Sequence, residues 1–414
     1  MKNAIAFTLF LCLFTLNITS CEKEDDTPQP QTDITTVEEL TAALNDIYAT
    51  SDAPGFAISV VKNDVLLYQE AFGQADLGGN KAYTNQTVQP IGSISKTFVA
   101  AAVVKAIEQG YFTLETNIND ILPFEVKNPK KADAMIQVKH LVTHTSGLLD
   151  DQETYIQSYH ILPGEDLNTD GSNLLQQGFG TQQRTTIPLE NYLSSYYKEG
   201  GALYDSENFS SRAPGESWSY SNIATSLAAF LVEEATGTSF KEYVLTNILQ
   251  ALNMTNTSYD IEAFNSGSLA TLYWDRATPL PKYFNDSYPD GSVMTSNEDL
   301  AKYLMDMIKG ANGQSTILFS KESYDLLFNA LLPEGLIPVS LADSQGIFWF
   351  LKDGTIKHDG SDPGTTCNME FDKDKNAGYL LMTNMDATID EHETAYFELA
   401  TKVHNAISAF IDAN

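Results

Sequence analysis

The sequence predicts an α/β protein of the α+β type, in which helices pack on an antiparallel sheet built from both ends of the chain. Strand-like segments occupy residues 56–68 near the amino end and residues 346–383 near the carboxyl end. Between them, from about residue 117 to about residue 290, helical patterns and loops dominate. We therefore expect one sheet with a mostly helical inserted subdomain. A length of 414 residues with 43% hydrophobic content suffices for a large core.

Residues 1–21 have the pattern of a secretory signal peptide. A basic start at Lys2 precedes an apolar run from Ala4 to Leu16, and small or polar residues lead to Cys21. The ending Ile-Thr-Ser-Cys resembles the lipobox of bacterial lipoproteins, in which the cysteine becomes the lipidated first residue. We therefore expect a mature protein in the cell envelope, anchored by lipid at Cys21 to a bacterial membrane and facing the periplasm or the cell surface. The alternative is a secreted protein whose Cys21 carries no lipid.

Residues 22–36 predict a flexible tether, because the segment is acidic, contains proline and glutamine, and lacks an apolar pattern. The folded domain is expected over residues 37–414. Cys12 leaves with the signal and Cys21 is the anchor, so Cys367 stands alone and no internal disulfide is expected. We interpret Cys367 as a small buried hydrophobe. A net charge of −31 argues against nucleic acid as a partner.

The folded domain is expected to begin with a helix and a hairpin. Thr36 and Glu39 form a capping-box pattern that predicts a helix to about Thr50. The segments 56–61 and 65–68 read as strands joined by a turn at residues 62–64. A strongly apolar helix then begins at Ser93, as its N-cap, and stops at Gly110.

The remaining elements follow in chain order. Residues 150–188 lack clear periodicity and predict a long loop, either a lid or binding loop or a partly disordered segment. Helices are expected over residues 223–236 and 298–308. Strands are expected over residues 346–351, 355–358, 368–371 and 378–383, and a last amphipathic helix runs through Tyr396 to Phe410.

Ser93 and Lys96 are the residues around which we expect the chemistry. They lie three residues apart and therefore on one face of the helix. A lysine in apolar surroundings loses hydration, so its pKa falls toward the range in which it accepts a proton. A serine beside such a base can act as a nucleophile. The simpler interpretation is an N-cap serine followed by a solvated lysine.

Two further stretches carry candidate site residues. Tyr220 and Asn222 alternate on one side of a short extended segment, where a phenol can move protons and an amide can hold a substrate amide. Residues 356–364 form a strand that contains Gly360, which permits another backbone to approach closely. No cysteine cluster exists, and we expect neither a metal site nor a cofactor.

Three motifs together resemble the penicillin-recognising serine hydrolases. They are Ser93-Ile94-Ser95-Lys96, Tyr220-Ser221-Asn222 and His358-Asp359-Gly360, in the order of that family. The resemblance is to the class C β-lactamase-related branch, which also holds D-Ala-D-Ala carboxypeptidases, D-aminopeptidases and esterases. It extends over about residues 45–410 and includes four non-catalytic landmarks, at residues 141–148, 214–216, 290–296 and 346–350. It implies the β-lactamase/transpeptidase-like fold.

The resemblance also implies roles for the motif residues. Ser93 would be the acylated nucleophile, and Lys96 with Tyr220 its general-base network. Asn222 would position the substrate amide. The oxyanion would sit between the backbone N–H groups of Ser93 and Ser361, where loss of one donor typically costs about 3–4 kcal/mol.

The third motif departs from the Lys-Thr-Gly of true class C β-lactamases. His358 is expected to be only partly charged at neutral pH. Asp359 would repel a substrate carboxylate unless strand alternation turns it away. His-x-Gly occurs in peptidase and esterase members of the family. His144, in the first landmark, is interpreted as structural, beside the site.

We therefore expect a serine hydrolase that cleaves a small peptide, amide or ester substrate, with cell-wall peptide as one candidate. A D-Ala-D-Ala carboxypeptidase, D-peptidase or esterase activity is favoured. A β-lactamase is the alternative within enzymes. A non-catalytic protein that binds cell-wall peptide in the same cleft is the alternative of another class.

Overall fold

The computed structural model describes residues 34–414. The signal sequence with Cys21 and most of the expected tether lie outside the described residues. Within the described range, no helix combines the length and the apolar character needed to cross a membrane.

The helices of residues 34–414, in chain order, are α1 (Val37–Ala49), α2 (Ser95–Glu108), α3 (Val138–Val142), α4 (Gln152–Tyr155), α5 (Asp170–Gly178), α6 (Leu189–Tyr197), α7 (Asn222–Thr236), α8 (Phe240–Val244), α9 (Asn297–Ala311), α10 (Lys321–Phe328) and α11 (Asp390–Ala413). The expected helices at α1, α7, α9 and α11 are confirmed. At α1 the capping box is present, because the Thr36 side chain accepts from Glu39 N–H while the Glu39 carboxylate accepts from Thr36 N–H.

The strands are β1 (Gly55–Lys62), β2 (Val65–Asp76), β3 (Lys81–Ala82), β4 (Val88–Pro90), β5 (Tyr159–Ile161), β6 (Gln182–Gln183), β7 (Tyr273–Asp275), β8 (Thr278–Pro279), β9 (Tyr283–Asn285), β10 (Met294–Ser296), β11 (Ser344–Gln345), β12 (Phe350–Lys352), β13 (Thr355–Asp362), β14 (Thr365–Asp372) and β15 (Ala377–Thr383). The main sheet has the order β11-β12-β13-β14-β15-β1-β2-β3. Its neighbouring strands are all antiparallel, and β1 pairs with β15 so that Ile58 faces Leu381. The prediction of one antiparallel sheet built from both ends of the chain is therefore confirmed.

Two layers of helices cover the main sheet. On one face, α1 and α11 pack on alternate residues of the central strands, including Ile58 and Leu381. On the other face, Leu380 and Met382 of β15 belong to the large core that contains α2, α7 and α9. The inserted subdomain also carries two small sheets, β6-β5-β9 and β7-β8, which the sequence did not indicate.

Three expectations about local structure are wrong. Ser93 does not cap a helix: it lies in a 3₁₀ turn over Gly92–Ile94, and α2 begins at Ser95. Residues 346–351 do not form one strand, because the backbone turns between β11 and β12, where Phe348 has a φ of 57°. Residues 150–188 are not a structureless loop, since they form α4, β5, α5 and β6.

Candidate active site

Ser93 and Lys96 meet at the beginning of α2. Lys96 is fully buried, and its Nζ donates to Ser93 Oγ at 3.0 Å and to the Asp290 carbonyl oxygen at 2.8 Å. The turn holding Ser93 is tied to the segment after Asp290. Ile91 N–H donates to the Val293 carbonyl, and Val293 N–H donates to Ser95 Oγ. Lys96 thus connects the turn that carries Ser93 with the segment that contains Asp290, and two further hydrogen bonds hold these segments together.

The charge state of Lys96 is set by its burial. Removal from water lowers its pKa from 10.5 to about 8, against the opposing effect of three carboxyl groups, Asp290, Asp150 and Asp362. A lysine with this pKa is partly neutral near pH 8. It can therefore take a proton from the Ser93 hydroxyl 3.0 Å away.

Tyr220 lies over this pair. Lys96 Nζ is 5.0 Å from the centroid of its ring. Burial raises the Tyr220 pKa well above its ordinary value, and hydrogen bonding to the Ser93 side chain offsets this only in part. Burial is therefore the larger effect on this phenol. Tyr220 is thus a neutral hydroxyl that can relay a proton, whereas Lys96 is the group beside Ser93 whose pKa is lowered.

The Asp150 carboxylate holds the Tyr220-Ser221-Asn222 motif in place by hydrogen bonds. Its carboxylate accepts from Ser221 Oγ at 2.6 Å, from Asn222 N–H at 2.6 Å and from Ile223 N–H at 3.1 Å. Ser221 is the N-cap of α7 and accepts from Ala224 N–H at 3.0 Å, and Asp150 adds to this cap from another segment by accepting from the first two N–H groups of the helix. Asn222 is the first residue of α7 and half-buried, so the predicted alternation with Tyr220 in an extended segment is wrong.

His144 supports the same motif. Its ring stacks on Tyr220 with centroids 4.4 Å apart, and its Nδ1 accepts from Ser221 N–H at 3.2 Å. Burial, with Lys96 as the next contribution, lowers the His144 pKa well below 6.5, so the ring is neutral. His144 thus contacts Tyr220 and Ser221, and its structural role stays a prediction.

Gly92 and Gly360 let two backbones touch beside the nucleophile. A Cβ on Gly360 would lie 2.0 Å from Ile91 O and 2.9 Å from Ser93 N, and a Cβ on Gly92 would lie 2.7 Å from Ser361 N. Gly92 also has a φ of +51°. The close approach brings the backbone nitrogens of Ser93 and Ser361 to one edge of the site, as the expected oxyanion site requires.

His358 faces this site as a neutral group. It is fully buried, and burial, with Lys96 as the next contribution, lowers its pKa to about 3. The expectation of partial charge at neutral pH is therefore wrong. Its Nδ1 lies 2.7 Å from the carbonyl oxygen of Asp359, which assigns the proton to Nδ1 and leaves Nε2 as an acceptor. This Nε2 is buried and has no hydrogen-bond partner within residues 34–414.

Asp359 is turned to the opposite face of β13. Its carboxylate accepts from Asn368 Nδ2 at 2.6 Å, and Asn368 in turn bonds the hydroxyl of Tyr396 on α11. Strand alternation thus removes Asp359 from the cleft that His358 and Gly360 face.

Two tyrosines near the site were missed from the sequence. Tyr155 donates to Asp290 Oδ1 at 2.9 Å, and Tyr159 donates to Asp362 Oδ1 at 2.6 Å. Both belong to the segment expected to be a loop. Their spacing of four residues in a polar stretch is the one signal that could have indicated a helical turn there.

Burial raises the pKa of both partner carboxyls, to about 6 for Asp290 and about 7 for Asp362.

The predicted site residues Ser93, Lys96, Tyr220, Gly360 and Ser361 come together, with His358 on the same face of β13. Cys21 lies outside the described residues.

Comparison with known proteins adds the following. The family model described as Beta-lactamase matches residues 37–402. Protein flp of Staphylococcus aureus is 24% identical over 255 residues, which are 61% of this chain but only 45% of flp. The chain thus aligns with less than half the length of that curated relative.

Solved structures show the same fold. The octameric penicillin-binding protein homologue from Pyrococcus abyssi superposes with a TM-score of 0.68 at 22% identity, covering 89% of this chain and 77% of that one. A class C β-lactamase superposes with a TM-score of 0.64 at 17% identity, covering 91% of this chain and 98% of that one. At these identities the likeness establishes the fold alone, and it confirms the β-lactamase/transpeptidase-like architecture.

Proposed function

Because the chain belongs to the Beta-lactamase family, whose members are in general serine hydrolases, we propose that it cleaves a peptide, amide or ester bond through an acyl-enzyme on Ser93. The observation that carries this proposal is the 3.0 Å contact between Ser93 Oγ and the buried Nζ of Lys96, whose pKa is lowered to about 8. A solvated lysine next to an N-cap serine would be neither buried nor lowered in pKa.

The proposed reaction has two steps. Neutral Lys96 takes the proton of Ser93 as Oγ attacks the substrate carbonyl, and the oxyanion forms between the backbone N–H groups of Ser93 and Ser361. The proton then passes through the Tyr220 hydroxyl to the departing amine or alcohol, which leaves an ester on Ser93. In the second step water attacks this ester and its proton passes to Lys96. Collapse of the tetrahedral intermediate then breaks the bond to Ser93 Oγ, which takes the proton back from Lys96, and the acid product leaves.

Peptidase or esterase activity is favoured over β-lactam hydrolysis by His358. A lysine there would offer a permanent positive charge to a substrate carboxylate, whereas His358, with a pKa of about 3, is neutral at physiological pH. Its free Nε2 accepts a hydrogen bond, so it suits an N–H or O–H donor of the substrate. Asp359, which faces Asn368, plays no part in this preference.

The activity is tested with four substrates on the purified domain: a p-nitrophenyl ester, a D-alanine p-nitroanilide, a peptide ending in D-Ala-D-Ala and nitrocefin. We expect turnover of at least one of the first three with kcat/KM above that for nitrocefin, and loss of that turnover in Ser93→Ala. Nitrocefin as the best substrate would instead identify a β-lactamase. No turnover and no covalent adduct would favour a binding protein.

For the cellular setting we propose a lipid-anchored envelope protein that acts on small peptide, amide or ester substrates, cell-wall peptide among them. The pattern of residues 1–21, which ends at Cys21, supports the anchor. The net charge of −31 makes a nucleic-acid partner unfavourable.

A further inference from the structure

A cavity of about 220 Å³ is lined in part by residues that directly follow the segments around Ser93 and Lys96. Its wall includes Asp362, which directly follows Ser361, and Gly291, which directly follows the Asp290 carbonyl that holds Lys96. Ligand pockets commonly measure about 300–1,000 Å³. A cavity of this size therefore fits one group of a substrate rather than a whole molecule.

The wall is apolar apart from a few groups. Leucine and tyrosine side chains dominate it, namely Leu269, Leu272, Leu280, Tyr159 and Tyr283. The two tyrosine rings lie 6.1 Å apart, and both hydroxyls are held by one segment, since Tyr159 donates to Asp362 Oδ1 and Tyr283 donates to the Pro363 carbonyl. The rings are thus fixed in place around Asp362.

Asp362 is the charged group next to the reacting centre in this cavity. Its Oδ1 accepts from Tyr159 at 2.6 Å, which is the one hydrogen bond that this carboxylate makes within residues 34–414. A Cβ on Gly291 would lie 3.2 Å from the second oxygen, Asp362 Oδ2. Glycine at position 291 therefore keeps a side chain from crowding the second oxygen.

The surroundings of Asp362 are short of positive charge. Its pKa is raised to about 7, chiefly by burial and in part by Asp290 and Asp386, while the hydrogen bond from Tyr159 and the positive charge of Lys96 oppose the rise. Lys96 is already bound to Ser93 and to the Asp290 carbonyl. The wall also contains the Glu165 carboxylate, which accepts from Lys282 N–H at 3.1 Å, and the exposed side chain of Lys282, so it holds two carboxyl groups and one lysine. The cavity beside the nucleophile therefore favours a cation.

We propose that this cavity is a substrate subsite that binds a protonated amino group against Asp362, with the carbon skeleton of that amine on the apolar wall. The inference rests on the proposed hydrolase function and narrows its substrate class to esters or amides that carry an ammonium group near the scissile bond. The faces of Tyr159 and Tyr283 also favour a cation.

The first test compares substrates that differ only in the amine. Leucine methyl ester and leucine p-nitroanilide, each as D and L forms, are paired with the same derivatives of 4-methylpentanoic acid, which lacks the amino group. We expect the wild type to prefer the better leucine form, and this preference in kcat/KM to fall at least tenfold in Asp362→Asn. That variant keeps the shape of the side chain and removes its charge.

The matched control is Asp353→Asn, which removes the same charge from a side chain 82% exposed in the turn before β13, at the other end of that strand. It should leave the preference for the amine unchanged. An equal preference in Asp362→Asn and the wild type, or a wild type that prefers the 4-methylpentanoic derivatives, would overturn the proposal.

A binding measurement separates this inference from the hydrolase function. Calorimetry with 3-methylbutylammonium and 3-methylbutanol on Ser93→Ala should show tighter binding of the ammonium, weakened at least tenfold by adding Asp362→Asn. If the ammonium binds in this way but the wild type hydrolyses no substrate, the subsite stands and the proposed function fails. If the wild type hydrolyses esters but the ammonium binds no better than the alcohol, the subsite fails and the function stands.

Discussion

Replacement of Gly360 by alanine tests the close approach of two backbones that the oxyanion site requires. The added Cβ would lie 2.0 Å from Ile91 O, and ordinary contact begins at 3.4 Å, so the two segments must separate by about 1.4 Å. Strand β13 is held by its pairing with β14 along its whole length. We therefore expect the turn that carries Ser93 to move instead.

The size of this displacement sets the expected loss of activity. An oxyanion donor must lie about 2.7–3.1 Å from the oxygen it stabilises, so a shift of about 1.4 Å takes Ser93 N–H out of range. Loss of one such donor costs about 3–4 kcal/mol, or about 10²–10³ in kcat. Gly360→Ala should therefore lower kcat for a p-nitrophenyl ester at least about 100-fold.

The matched control is Gly267→Ala, because a Cβ at Gly267 meets nothing within 4 Å. Circular dichroism and thermal unfolding of both variants establish that each is folded. Folded Gly360→Ala with kcat within threefold of the wild type would refute the placement of the oxyanion between Ser93 and Ser361.

Three further changes test the base, the third motif and the anchor. Lys96→Arg should abolish acylation because arginine stays protonated. In the wild type, the acylation rate should rise with pH and become constant above about pH 8, as Lys96 becomes neutral. An active Lys96→Arg variant, or a wild-type rate that falls from pH 6 to 9, would contradict this role. His358→Lys should raise the ratio of kcat/KM for nitrocefin over a p-nitrophenyl ester at least tenfold, by supplying a cation for the carboxylate; an unchanged ratio would show that His358 does not select the substrate. Cys21→Ala should move the protein from the membrane to the soluble fraction and stop fatty-acid labelling; unchanged fractionation would exclude the anchor.

The sheet and most helices could be predicted because their signals are local. The nearly continuous apolar runs in β1 and β15 indicate strands with two buried faces, and the capping box at Thr36 marks the start of α1. The order of the three motifs placed Ser93, Lys96 and Tyr220 together before any geometry was known. Membership of the family from residue 37 to residue 402 agrees with that resemblance.

The charge states in the site could not be predicted from the sequence, because they depend on burial by distant segments. Residues such as Phe350, whose ring centroid lies 5.2 Å from that of His358, shield the His358 ring from water, and the nearby positive charge of Lys96 also lowers its pKa. Its charge is therefore lost, contrary to its ordinary pKa of about 6.5. For the same reason the Tyr220 pKa rises although a lysine lies over its ring.

The contacts that residues of the segment 150–188 make with the site could not be predicted, because the segment is polar and lacks a periodic pattern. Asp150 caps α7 across more than 70 positions of sequence, and Tyr159 fixes Asp362 from a similarly remote part of the chain. Neither contact has a periodic signal, since both join single residues across the fold. Serine before an apolar helix predicts a cap, but Ser93 lies in the 3₁₀ turn Gly92–Ile94 and α2 begins at Ser95, which the local sequence does not show.

The most direct measurement of the central claim is the mass of the intact protein after reaction with a fluorophosphonate, followed by peptide mapping. The Ser93 hydroxyl, activated by Lys96, should displace fluoride and gain one phosphonyl group, and Ser93→Ala should gain none. Labelling that persists in Ser93→Ala, or a folded wild type that gains no mass, would contradict a nucleophilic Ser93.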